Sequence, residues 1–208
     1  MNMTFTQIRE TTFEELQVNA GVVLKTFDPA AFTGELELGN ILFATSGGTT
    51  ITDTPEFRDA GEGIDNAPKN MKEFKKLVRR EVKISGSKVT FTPESIKSDM
   101  AAADISDVEG KAGLKKITPR DVLTDADFAD FWVVGDHGVG GYLAVHIMNA
   151  LSVSGFNWKT TDQGNGTSDF EYTAHYSIKN QTQVPYEVYI YTPETATTET
   201  GENGEATA

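Results

Sequence analysis

The sequence predicts a mainly β protein, an antiparallel sandwich or barrel with one flanking helix. Three observations carry that prediction. Residues 131–191 hold four stretches, FWVVGD, GYLAVHIMNALSVSGFNWKTT, SDFEYTAHYSI and PYEVYIY, in which apolar residues alternate with polar or small ones for most of their length. A period of two turns one face of a strand inward. Turn formers separate these stretches, most plainly DQGNG at Asp162–Gly166. Only one segment has a firm helical start: Thr92-Pro93-Glu94 places a cap residue before proline at the first helical position. That helix is expected to run to about Ala103.

The remaining elements follow along the chain. Thr12 with Glu15 makes a capping box and Asn19–Gly21 a stop, which predicts a short N-terminal helix. GVVLKTF (21–27) is a strand ended by Asp28-Pro29, and GELELG (34–39) has a half-buried strand pattern. ILFATS and TTITDT flank Gly47-Gly48, a hairpin signal. FRDAGEGIDNAPKN (57–70) is a glycine-rich connection expected before a long hairpin. Helix and strand compete up to Arg80; beyond it Val82 and Ile84 alternate with charges, Gly86-Ser87 turns, and Val89 and Phe91 alternate back. Residues 104–130 are a polar stretch. Roughly eight or nine strands result, with no repeat or linker dividing them. The expectation is one domain over 1–191 and an acidic low-complexity tail at 192–208 with four glutamates and no large apolar residue.

Composition narrows the function. A chain of 208 residues can bury one sizeable core. Cysteine is absent, which removes disulfides, thiol catalysis and cysteine metal sites. No apolar run approaches the roughly 20 residues that span a bilayer, and MNMTFTQIRETTFEEL lacks the basic start and apolar stretch of a Sec signal. A net charge of −13 and a pI near 4.6 argue against nucleic-acid binding, because few cations are available to release condensed counterions.

Candidate sites fail in detail. Read as an EF-hand from Asp59, the 57–70 stretch puts Gly61 and Gly63 at ligand positions and Asn70 at the twelfth. His137, His146 and His175 have no ligand spacing and read as structural; GDHGVGGY (135–142) lacks the Lys-Ser/Thr of a phosphate loop. Asp121, Asp125, Asp127 and Asp130 resemble a glycosidase pair in residue type only, and a carbohydrate-binding or hydrolytic sandwich using them is the alternative reading. The basic run Lys69, Lys72, Lys75, Lys76, Arg79 and Arg80 has no interleaved aromatics and is expected to face acidic residues of its own chain or of a neighbouring copy. No cofactor, no metal and no catalytic residue is expected.

DAGEGIDNAPKNMKEFKKL, VKISGSKVTFTP, ITPRDVL with DFADFWVVGD, and GGYLAVHIMNALSVSGFNWKTTDQGNG with DFEYTAHYSI and VPYEVYIY occur in an order and spacing that resemble the major tail tube protein of long non-contractile-tailed phages and prophages of Gram-positive hosts. The likeness runs from about Phe13 to Tyr191. It implies a phage tail tube fold with long loops and an N-terminal arm at 1–20, and a non-enzymatic structural virion protein, assembled in the host cytoplasm. Hexameric rings would stack into a tube whose acidic lumen passes DNA without binding it. Tape-measure, tail terminator and distal tail proteins are the implied partners, and no membrane is. Within it, Asp59, Glu62, Asp65, Asn66, Lys69, Lys72, Lys75, Lys76, Arg79 and Arg80 are candidate intersubunit contacts. Glu171 and Glu187, which alternate with core aromatics on their strands, are candidate lumen-facing acids.

Overall fold

The computed structural model describes residues 9, 12, 15–138 and 140–193. Ten strands and one α-helix occur among them: β1 (Gln17–Leu24), β2 (Ile41–Phe43), β3 (Thr45–Asp59), β4 (Lys75–Lys88), α1 (Pro93–Asp99), β5 (Ala103–Asp107), β6 (Lys115–Pro119), β7 (Ala129–His137), β8 (Gly141–Ser152), β9 (Ser168–Thr173) and β10 (Tyr186–Tyr191). All pairings are antiparallel, as the alternation predicts. The main sheet runs β2-β1-β7-β8-β9-β4-β3, β10 adds to β8, and β5 with β6 forms a separate ribbon.

The sheet folds over into two layers. β1, β2, β7, β8 and β10 form the first; β9, β4 and β3 form the second. Side chains from both interlock: Phe131 of β7 meets Tyr172 of β9 with centroids 4.9 Å apart, and Phe43 meets Phe170 at 4.8 Å. Val23, Val82, Ile84, Val133 and Ile147 complete this buried core. A second apolar layer lies on the outer face of the first sheet. There Leu24, Trp132, Val134, Tyr142 and Ala144 are covered by Phe27 and Phe32 from the segment between β1 and β2. The Tyr142 hydroxyl donates to the Pro29 carbonyl at 2.5 Å and ties that cover down.

The helix starts where its cap predicts. The Thr92 hydroxyl accepts from the Ser95 amide while the Ser95 hydroxyl accepts from the Thr92 amide, and Pro93 opens the first turn. It stops at Asp99, short of Ala103, because Ala101 takes φ 61 and Ala103 begins β5.

Several local expectations are corrected. The N-terminal helix lies largely outside the described residues, and Gln17 and Val18 are strand. Asn19 (φ 63) makes a bulge against β7, with its side-chain amide donating to the Asp136 carboxylate. GELELG forms no strand; Leu38–Asn40 is a 3-10 turn and Leu38 is 79% exposed. Gly47-Gly48 makes no hairpin. Both take positive φ as a bulge inside β3, so one 15-residue strand replaces two. Gly86-Ser87 likewise continues β4, and the real hairpin is β3–β4, with 60–74 at its tip. FRDAGEGIDNAPKN therefore joins the two arms of that hairpin instead of preceding it. The polar 104–130 stretch contains the unforeseen β5–β6 ribbon, in which Ile105 faces Ile117.

Ile84 is fully buried, whereas Thr52, one strand over, points away from the core. Ile84→Ala is expected to lower the unfolding free energy by about 3 kcal/mol, and Thr52→Ala to change it by less than about 0.5 kcal/mol, both measured by urea denaturation.

Candidate assembly surface

The β3–β4 hairpin outruns the sandwich. From Pro55 to Asp59 and from Lys75 to Arg79 nearly every side chain is exposed, including Phe57, Leu77 and Val78. The tip is nonetheless ordered. Asp59 accepts from the Gly61 amide at 2.9 Å and from the Asn70 amide at 3.2 Å, and the Ala60 amide donates to the Phe74 carbonyl at 2.8 Å. Asn66 and Asn70 take left-handed φ near 62°, a conformation asparagine tolerates. Phe74 packs on Gly61 so closely that a Cβ there would lie 2.3 Å from the ring.

The expected contact residues divide between this tip and the arm's ladder. Glu62, Asp65, Lys69 and Lys72 are exposed on the tip. Lys72 lies 3.6 Å from Glu73, and Lys75 reaches Asn70 at 3.4 Å with its ammonium over Phe57. Arg79 pairs with Glu56 across the ladder and Arg80 with Asp53, whose same oxygen accepts from the Tyr186 hydroxyl at 2.7 Å. The two arginines thus find acids of their own chain. Lys69 and Lys76 have no ion-pair partner among the described residues.

Glu171 and Glu187 point outward, but from opposite layers. Glu171 lies on the outer face of β9–β4–β3, beside Thr50, Thr52, Ser85, Ser87 and Asp169. Lys83, on the same face, sits 3.1 Å from Glu81 and 3.5 Å from Glu171, and Glu81 first, then Glu171, raise it above its ordinary 10.5. This face is small, hydroxylated, acidic and uncovered. Glu187 lies beside the aromatic cover of the other layer and accepts from the Tyr189 hydroxyl at 2.5 Å. The two carboxylates therefore lie on opposite outer faces of the sandwich.

The edge strand β10 pairs with β8 alone. Its inward-facing residues Val188 and Ile190, in register with Val145 and Leu143, remain 55% and 64% exposed. Nothing in the described chain covers them, so the core is open along this edge. This surface was not legible beforehand, because alternation marks an inward face without saying whether anything packs on it.

The acidic cluster 121–130 does not converge. Both Asp127 oxygens are occupied: Arg120 donates to one at 2.6 Å, and the Thr124 amide and hydroxyl to the other at 2.8 and 2.9 Å. Asp130 accepts from the Asn149 amide at 2.8 Å, with His146 at 3.4 Å, while Asp121 and Asp125 are exposed. His146 stacks on Trp132 at 4.2 Å, and His175 Nδ1 lies 3.2 Å from the Asn149 carbonyl, both structural roles. Among the described residues no group of three could hold a metal ion, and no helix is long and apolar enough to cross a membrane. A hollow of about 450 Å³ is lined by residues 24–40, with Asp28, Glu35, Glu37 and Asn40 among them. Asp28 is satisfied there by the Ala30 and Ala31 amides, and Glu37 by Asn40.

Burial alone would raise the Asp127 carboxyl, but the Thr124 donors and Arg120 outweigh it and hold the group below its ordinary 3.8. A glycosidase acid needs the opposite shift. A depressed folded value contributes stability above the unfolded pKa that is lost as pH falls through the folded one. Asp127→Asn is therefore expected to be destabilising at neutral pH and to converge with the parent in urea titrations carried into acid below pH 3.8; an unchanging gap would contradict the assignment. Gly61→Val is expected to speed limited proteolysis within 60–74 without lowering the thermal midpoint of the core.

No family model matches the chain, and no curated protein does. Among solved structures it is similar to a chain from the virion of a native gene transfer agent particle, at TM-score 0.39 and 12% identity, covering 76% of this chain and 92% of that one. It is similar also to a chain from the tail of an empty gene transfer agent particle with C6 symmetry, at TM-score 0.39, 13% identity and the same coverage.

Proposed function

We propose that this chain is the repeating subunit of a phage-type tail tube, a structural virion protein with no catalytic role. The observation that carries the reading is the unfinished β10 edge. An edge strand with unpaired backbone and bare Val188 and Ile190 is a template for another strand. A neighbouring copy laid against it closes the core and removes the edge. Repeated around an axis, that contact makes a ring, six-fold by the sequence resemblance.

The β3–β4 arm is suited to joining one ring to the next. It projects past the sandwich with exposed Phe57, Ile64, Leu77 and Val78, and Lys69 and Lys76 are cations free to meet the acids of another copy. In this reading Asp59 and Asn66 shape the tip, and Glu62, Asp65, Lys69, Lys72, Lys75 and Lys76 make contacts. Arg79 and Arg80 stiffen the arm from within.

The uncovered outer face of β9–β4–β3 is the surface for the bore. Hydroxyls and acids dominate it, and Lys83 is paired with Glu81 and Glu171, which leaves a phosphate little to grip. Repulsion acts over about 8 Å at physiological salt. DNA then slides through. Glu171 is the lumen acid, and Glu187, beside the aromatic cover, belongs to the outer wall. A tape-measure protein fills the bore before DNA does, and terminator and distal tail proteins cap the ends.

Negative-stain microscopy and light scattering of the full chain, alone and with tail-tip and tape-measure proteins, test this. Hollow tubes of uniform width are expected. Val188→Asp with Ile190→Asp is expected to abolish tubes while leaving the thermal midpoint of the monomer unchanged. A wild-type chain that stays monomeric with every partner supplied overturns the reading.

A further inference from the structure

Between α1 and the two core layers lies a polar cluster that assembly does not use. Lys88, the last residue of β4, and Asp99, the last residue of α1, have side chains 0% and 1% exposed, with Nζ 2.5 Å from Oδ2. Despite that distance, Asp99 Oδ2 has no hydrogen-bond partner. The ammonium approaches the carboxylate without the alignment of a hydrogen bond. The other oxygen, Oδ1, accepts from the Tyr172 hydroxyl at 2.6 Å, and Tyr172 is itself 1% exposed. Nζ donates to the Ser95 carbonyl at 3.3 Å and lies 5.2 Å from the centre of the Phe43 ring.

We propose that Lys88 and Asp99 condense, after folding, into an intramolecular isopeptide bond. Burial penalises both charges, so moving a proton from Nζ to Oδ2 exchanges a desolvated ion pair for a neutral amine and a neutral acid. Burial likewise lowers the Lys88 pKa, with Asp99 acting in the opposite sense. The amine then carries a free lone pair, the condition for a nucleophilic lysine. It attacks Cγ, and the developing oxyanion on Oδ1 is met by the Tyr172 hydroxyl already pointed at it. The tetrahedral centre collapses with Oδ2 leaving as water, which takes one proton from Nζ and keeps the one it had received. A C–N bond replaces a C–O bond, and neither oxidant nor activating cofactor is consumed. The fold supplies the effective concentration by holding both groups in one dry site.

Only three side chains take part, and they come from three elements. β4 brings Lys88 inward in the same parity as Val82 and Ile84, α1 delivers Asp99, and β9 delivers Tyr172. The bond would rivet α1 to β4 at the end of the sandwich that α1 closes. It is independent of whether the chain forms tubes.

Intact mass of the purified full chain in denaturant is the test. The expected mass is short of the sequence by one water, and Lys88→Arg restores the full value. Tryptic digestion is expected to leave the bond after Lys88 uncut, with 84–97 joined to 98–111. Tyr172→Phe, which keeps both reacting groups, is expected to leave a fraction of molecules at full mass. A wild-type chain of full mass that trypsin cleaves after Lys88 overturns the proposal. So does a water loss that persists in Lys88→Arg, since that would place it elsewhere.

Discussion

Strand β8 changes partners along its length, and the two-layer architecture hangs on that change. Residues 142–147 pair with β7 on one side and β10 on the other, whereas Leu151 and Ser152 pair with β9. The corner falls at Asn149, which takes φ 47 and is held by its neighbours. Its amide donates to Asp130 and its side chain to the His175 carbonyl. A strand that bends from one layer to the next brings Phe131 over Tyr172 and closes the core from two sides. Without the corner the chain would make one open sheet with an apolar face and nothing to cover it.

The two layers differ in what lies on their outer faces. Aromatic residues of the 25–40 segment cover the first, giving a thick apolar wall. The second is bare, short-chained and acidic. Among the described residues the sandwich thus has one finished wall, one bare wall and an edge where Val188 and Ile190 stay exposed, and the proposed tube reading builds on that asymmetry.

Charge is unevenly placed over the sandwich. The excess of acids on the chain is general, yet the basic run is not simply its counterweight. Arg79 and Arg80 are used within the arm, which holds the two strands of an exposed ladder together where no core does so. The exposed Arg79–Glu56 pair is individually weak, so the arm's order rests as much on Asp59 and the Phe74–Gly61 contact at its tip. Deep in the opposite end of the sandwich, Lys88 and Asp99 are shielded from solvent altogether, a setting in which charge is costly and chemistry between the two is favoured.

By itself the sequence determined the mainly β class, the strands after residue 129, the start of α1 at Thr92 and the outward direction of Glu171 and Glu187. Each of these follows from short-range stereochemistry: a period of two, a cap before proline. Tertiary structure decided the rest. Gly47-Gly48 and Gly86-Ser87 have the composition of turns, but long-range pairing with β4 and β9 made them a bulge and a continuous strand. Lys88 was hidden by the same misplaced turn, since continuing the parity of Val82 and Ile84 would have pointed it inward. That Glu171 and Glu187 share a direction relative to the core yet face opposite sides of the molecule follows only from the fold-over at β8. Local pattern specifies which side of a strand is buried; which layer the strand joins, and what is left for a partner to cover, depends on contacts far apart in the chain.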